Sequence, residues 1–426
     1  MRQTTRALYA RLRSRSTRQN YWATTQLLEE LNAARADRHR VFWGHVRNDL
    51  KRYLSGSVRP EPGATLDKMN AAVQWLLRAQ RATNDDGVSL GYFPTHAVDN
   101  DGWLPSYPET TGYIISTLIA YGRAHDDAAA VEAAIRMGHW EAGIQMPTGA
   151  VQGGQLTTPD KQTPAAFNTG MVLDGWCSLL ELRPDETLSK PARAAADFLV
   201  RDLDDHSYFR TNGAFVSTGE IKTYTCLCAW AIHRFGDIVG EASYRAAAIR
   251  SIEAALRQQR PNGWFAHNCL TRSEAPLTHT IGYTLQGVLE VGVLAGRAEF
   301  VDAVRRSVDA IAPRIAANGY LPGRLFPDWT SASMSSCLTG SAQIAIVAYR
   351  LADILTDATY RTTGDRLLNC VKAVQVTGTG NPGIDGAIAG SFPIYGEYMR
   401  GGYPNWATKY FVDALLLQHR NATVGI

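Results

Sequence analysis

Apolar residues along the chain fall into two alternating kinds of segment. One kind is apolar around most of a helical circumference: PETTGYIISTLIAYG from Pro108, FNTGMVLDGWCSLLEL from Phe167, IKTYTCLCAWAIHRFG from Ile221, HTIGYTLQGVLEVGVLAG from His279, SSCLTGSAQIAIVAYRLADIL from Ser335 and PNWATKYFVDALLLQ from Pro404. These six recur roughly every 55–65 residues, and each reads as a helix enclosed on several sides. Ahead of each lies an amphipathic helix: LDKMNAAVQWLLRAQ, AAAVEAAIRMGHWEAGI, KPARAAADFLVRDL, YRAAAIRSIEAALRQQ, FVDAVRRSVDAIAPRIA and YRTTGDRLLNCVKAVQ. One apolar stripe on each predicts an outer ring with one face in water.

Between outer and inner helices the chain repeatedly combines glycine with an aromatic residue, as in NDDGVSLGYF, TNGAF, RPNGWF and ANGYLPGRLF. Glycine there supplies left-handed turn geometry. Six inner helices wrapped by six outer ones, none able to bury its apolar face alone, predict an all-α fold, an (α/α)6 barrel over residues 63–426, with an open solenoid as the fallback. Small residues at the inner-helix starts, such as Gly112, Gly170, Gly282 and Gly340, read as close-packing and capping positions. Residues 1–62 fall outside the repeat. They read as a basic, helical N-terminal extension, including TQLLEELNAARADRHRVFWGHVRNDLKRYL, that caps the barrel before the breaker-rich SGSVRPEPGAT.

A net charge of +3 is too mild to imply nucleic acid, and no uninterrupted apolar run approaches the roughly 20 residues of a membrane span. The acid-free start MRQTTRALYARLRSRSTRQNYW suits a basic helix in peripheral contact with a membrane, or a targeting segment. Six scattered cysteines without a CxxC pair indicate a reducing, cytoplasmic setting. No glycine-rich phosphate loop or GxSxG elbow is present, so no cofactor is expected.

If the inner helices run parallel, their N-termini share one rim, where unpaired N–H groups and helix dipoles gather. Glu109 opens one inner helix as a candidate acid or base, and His279 opens another as a proton carrier. Tyr224 and Tyr283 are candidate partners for His279, and Asp328, Glu220 or Glu397 could supply a second carboxylate. The aromatics Trp103, Tyr107, Trp264, Trp329, Tyr403 and Trp406 could stack on sugar faces. Asn168, Lys222, His267, Arg324 and Asn405 complete the substrate-binding candidates. DLDD at Asp202 to Asp205 matches a loose DxDD acid motif, yet it ends an outer helix and reads as a turn. His267, Cys269 and His279 match no strong zinc spacing, so no metal is assigned.

At WLLRAQ, GWLPSYPETTGY, FNTGMVLDGW, HTIGYTLQGVLE and YPNWATKYFVDALL the chain resembles bacterial (α/α)6-toroid proteins of surface-polysaccharide loci, related to six-hairpin glycosidases, polysaccharide lyases and glucuronyl C5-epimerases. More distantly it resembles prenyltransferase β-subunits and squalene cyclases. The resemblance runs from about residue 65 to the C-terminus. It implies a saccharide-sized cleft on the inner rim, with Glu109, Asn168, His279, Asn405 and Trp406 as site residues. The resulting expectation is a polysaccharide-processing enzyme that cleaves a glycosidic bond by hydrolysis or β-elimination. The alternatives are a uronate C5-epimerase, a terpenoid cyclase or prenyltransferase-like enzyme, and a non-catalytic glycan-binding scaffold.

Overall fold

The computed structural model describes residues 40–95, 101–214, 216–217 and 219–424. The basic arm at residues 1–39, with its expected membrane contact, lies outside the described residues.

Thirteen α-helices are found among the described residues: α1 (Arg40–Ser55), α2 (Thr65–Arg81), α3 (Pro108–His125), α4 (Ala128–Ile144), α5 (Ala166–Leu182), α6 (Glu186–Asp202), α7 (Cys226–Ile238), α8 (Ala242–Leu256), α9 (Thr278–Leu294), α10 (Ala298–Ile311), α11 (Leu338–Leu355), α12 (Ala358–Val374) and α13 (Asn405–Val424). From α3 onward the odd-numbered helices are the inner ones. Each packs on the next, and α13 returns to α3, so the inner ring is closed. The even-numbered helices surround it.

Burial follows the two sequence patterns. Every residue of α9 from Thr278 to Gly292 is buried, whereas α10 buries Phe300, Val301, Ala303, Val304, Ser307, Val308 and Ile311, one helical stripe. Helix α11 is long and apolar enough to cross a membrane, and 78% of that stretch is buried inside the ring.

Each inner helix packs most closely on the outer helix that follows it, while α2 packs on α13. The first and last helices of the ring are therefore partners. The reason is local: inner helices end in short left-handed turns, such as Asp126 (φ 53°), Gly240 (φ 71°), Gly296 (φ 63°) and Thr356 (φ 54°), that reverse the chain at once. The longer loops run from outer to inner helices and collect at the inner N-termini.

Two repeated devices hold those loops. A threonine in the first turn of an inner helix accepts a backbone N–H from the preceding loop: Thr111 from Val88, Thr169 from Val151 and Thr408 from Ile388. A glutamine just past or near the end of an outer helix donates both to the loop and to a carbonyl of a neighbouring outer helix. Gln145 reaches Gly149 and Pro191, and Gln259 reaches Gly263 and Ala303. At Gly149 (φ 89°) and Gly263 (φ 83°) a side chain would also strike backbone atoms of Ala194 and Arg306. The DLDD segment serves the same purpose, since Asp204 Oδ1 accepts the N–H groups of His206 and Tyr208 in a turn.

The small residues at the inner N-termini set the ring spacing. A Cβ on Gly170 would lie 2.7 Å from Cys228 Sγ, and one on Gly112 would lie 2.6 Å from Val172 Cα. Helix α1 lies over the loop before α13. Trp43 stacks on Tyr395 at 5.7 Å, and buried Asp49 accepts the Ile394 N–H at 2.7 Å. The six cysteine thiols are buried and free.

Candidate active site

Inside the inner N-terminal rim is a cavity of about 270 Å³. Its walls come from the first turns of inner helices (Glu109, Phe167, Asn168, His279, Thr280, Trp406) and from residues at or before them (Tyr107, Ala165, Tyr224, Leu277). Tyr283 stands one turn deeper, and loop residues Asn212, Leu270, Tyr398 and Met399 close the sides.

Glu109 is the one carboxyl group among the described lining residues. It is half-buried and lines the cavity. Burial pushes its pKa up to about 8, with no compensating hydrogen bond or charge. The helix N-terminus favours the anion by only about 0.3–1 kcal/mol, less than one pKa unit, so desolvation prevails. The hydroxyls of Tyr107, Tyr113, Tyr224, Tyr283, Tyr398 and Tyr410 all sense that carboxyl. Glu109 therefore holds a proton at neutral pH.

His279 is in the opposite state. Burial lowers its pKa to about 4, so the imidazole is neutral. Its Nδ1 is 2.8 Å from Gln343 Oε1, an acceptor, which places the proton on Nδ1 and leaves Nε2 with a lone pair. Its ring packs against Tyr283 at 4.4 Å and Tyr398 at 5.4 Å. Gln343 approaches because position 282 is glycine, where a Cβ would lie 2.6 Å from the glutamine Cβ.

Several residues of the cavity wall carry neutral polar groups that are buried without a well-formed protein hydrogen bond. Asn168 Nδ2 is a buried donor beside the Tyr107 hydroxyl, with no hydrogen bond of good geometry. Asn212 Nδ2 donates to the Glu220 carbonyl at 3.5 Å, which leaves Oδ1 an unpaired acceptor. The Tyr283 hydroxyl lies among those of Tyr113 and Tyr410, which interact with it. Trp406 is fixed by donating from Nε1 to Tyr398 Oη at 2.8 Å.

The structure thus gathers Tyr107, Glu109, Asn168, Tyr224, His279, Tyr283 and Trp406 from the sequence candidates, and it separates the others. Asp328 is exposed and ties off its own turn through the Thr330 N–H and hydroxyl. The other two carboxylates considered are ion-paired, Glu220 to Lys222 at 2.7 Å and Glu397 to Arg324 at 3.1 Å. Neither they nor their basic partners line the cavity. Trp264 and Trp329 pack edge to face at 5.0 Å, and Trp103 packs on Tyr92 and Trp75. His267 is exposed at φ 56°, where its carbonyl holds the Thr223 N–H. Tyr403 bonds His45 of α1 at 2.5 Å, and Asn405 bonds Ser89 O and Thr110 Oγ1. A rim position in sequence did not distinguish residues that face inward from residues that brace the loops.

Several contributors lie outside the sequence reading, among them Asn212, which the sequence offered only as part of the TNGAF turn, and Gln343, Tyr398 and Met399. Gln343 had a signal, a polar residue within an apolar inner helix. Tyr398 and Met399 come from the long loop before α13 and carried none.

No protein-family model matches the sequence, and a search of curated proteins finds no match. Among solved structures, similarity extends to an unsaturated glucuronyl hydrolase specific for heparin (14% identity, TM-score 0.66), covering 84% of this chain and 98% of that one. The unsaturated glucuronyl hydrolase of Bacillus sp. GL1, responsible for glycosaminoglycan degradation, is 16% identical with a TM-score of 0.66, covering 84% of this chain and 98% of its own. That of Streptococcus agalactiae is 11% identical with a TM-score of 0.64, covering 87% and 95%. The fold of this chain is the (α/α)6 toroid shared with these unsaturated glucuronyl hydrolases.

Proposed function

We propose that the protein is a glycoside hydrolase acting on an oligo- or polysaccharide. Glu109 delivers a proton to the departing glycosidic oxygen. His279 Nε2 takes a proton from the water that adds to the anomeric carbon, so the elements of water divide between the two fragments. Asn168 and Asn212 bond sugar hydroxyls, and Trp406, Tyr224 and Phe167 provide apolar faces for the ring.

The observation that carries this reading is the pairing, in one cavity, of a carboxyl group that keeps its proton and an imidazole that lacks one. Acid and base are each in the working form at neutral pH. The similarity of fold to glycosidases supports the same reading. It departs from the two-carboxylate scheme usual for glycosidases, because the second group available here is an imidazole.

The test is to incubate the protein with neutral and acidic glycans while following new reducing ends, ultraviolet absorbance of an unsaturated uronate, and deuterium uptake. Reducing ends without absorbance are expected. Reducing ends together with absorbance would make it a lyase, deuterium uptake alone an epimerase, and silence throughout would remove the enzyme reading.

A further inference from the structure

The chemistry of the cavity walls bears on which sugar can enter, and it rests on the hydrolase reading above. None of the described lining residues is a lysine or arginine. Three basic side chains near the rim are already engaged, and half-buried Arg400, next to the lining residue Met399, is not part of the lining. Lys222 Nζ is bonded to Glu220 Oε1 at 2.7 Å and Leu270 O at 3.3 Å. Arg324 binds Glu397 at 3.1 Å and the Ala275 carbonyl at 2.7 Å. Lys409 is paired with Asp413 at 2.7 Å and lies over the rings of Tyr113 and Tyr410, below the cavity.

An anionic ligand would therefore enter an aromatic enclosure with no countercharge among its described lining residues, beside a carboxyl group whose own ionisation is disfavoured there. Such a charge loses its hydration without return. The polar side chains of the wall other than Glu109 are neutral, among them the amides of Asn168 and Asn212 and the hydroxyls of Tyr107 and Tyr224, the kinds of group that pair with sugar hydroxyls rather than with a full negative charge.

We infer that the cavity takes an uncharged glycosyl unit, a hexose or N-acetylhexosamine, whereas its structural neighbours are named for an unsaturated glucuronyl unit. Leu270, Leu277, Phe167 and Met399 give the apolar wall that such a unit's C–H faces, or an acetyl methyl, would meet.

The experiment uses the full chain and matched pairs of nitrophenyl glycosides, each hexoside against the corresponding uronide, plus an unsaturated glucuronyl disaccharide. Release of nitrophenol, loss of the unsaturated chromophore and quenching of tryptophan fluorescence are the three readouts. The expected result is a kcat/KM at least about tenfold higher for neutral glycosides, with saturable quenching by neutral sugars only. Leu270→Arg places a cation at the cavity mouth on an exposed position, and it should narrow that ratio at least about tenfold, chiefly by lowering KM for uronides. Preferential turnover of uronides by the wild-type protein would overturn the inference while leaving the hydrolase reading intact. Silence toward every compound, in turnover and in quenching, would overturn both.

Discussion

The two halves of the barrel interior treat polar groups in opposite ways. Toward the C-terminal ends of the inner helices, charges are abundant and matched. Arg234 pairs with Asp174 and Glu181, and Asp174 also accepts from Ser116. Arg350 forms a two-pronged pair with Glu290 at 2.7 and 2.9 Å, and Asp413 accepts from Thr117. Toward the N-terminal ends the lining has one carboxyl group, held protonated, one neutral imidazole and several neutral amides and hydroxyls. Unsatisfied buried polar groups are costly to stability. Several of them gather at the rim where we propose that a ligand binds, whereas the matched charges of the other half brace the helices against one another.

The largest expected effect lies in the matched half. Arg234→Ala strands the Asp174 carboxylate among buried groups and should cost about 3–5 kcal/mol of stability. Urea unfolding would measure it, and turnover per folded molecule should be unchanged. A large loss of turnover without a loss of stability would erase the distinction between the halves.

Glu109→Gln should do the reverse, reducing turnover about 10²–10⁴-fold. Its effect on stability has a definite sign. The folded protein keeps the Glu109 proton up to pH about 8, whereas the unfolded chain releases it near the ordinary glutamate value, roughly 4.3. Wild-type stability therefore falls between those values as pH rises. Thermal unfolding should show the glutamine variant gaining more over wild type at pH 8.5 than at pH 5.

The wild-type rate should be highest between the two shifted values, declining above pH about 8 as Glu109 ionises and below about 4 as His279 is protonated. Gln343→Glu sharpens the assignment, because a carboxylate against Nδ1 favours the imidazolium and should raise the acidic limb by on the order of 1–3 pH units. An unmoved limb in the kcat/KM profile would exclude His279 as its source.

The smallest effect belongs to the rim cations. Arg324→Gln removes a partly exposed ion pair and should change stability by about 1 kcal/mol or less, with turnover within about threefold of wild type. A collapse of turnover there would mean that the cavity depends on a charge it does not contact.

Much of this fold was legible along the chain. The alternation of wholly apolar and striped helices and the glycines at close-packed starts are properties of local sequence, so the twelve-helix ring could be read directly. Glu109 and His279 were legible for the same reason, since each occupies the first turn of an inner helix. Three-dimensional packing decided the rest. Whether a rim residue faces the cavity or braces a loop depends on which residues far away in sequence come to meet it. Asp328 turned outward, Lys222 and Arg324 were taken by Glu220 and Glu397, and Tyr398 was delivered by a loop with no periodic pattern. The ionisation of the site was beyond the sequence for the same reason. Desolvation is set by everything that surrounds a group, and only burial within the folded ring raises Glu109 to about 8 and lowers His279 to about 4.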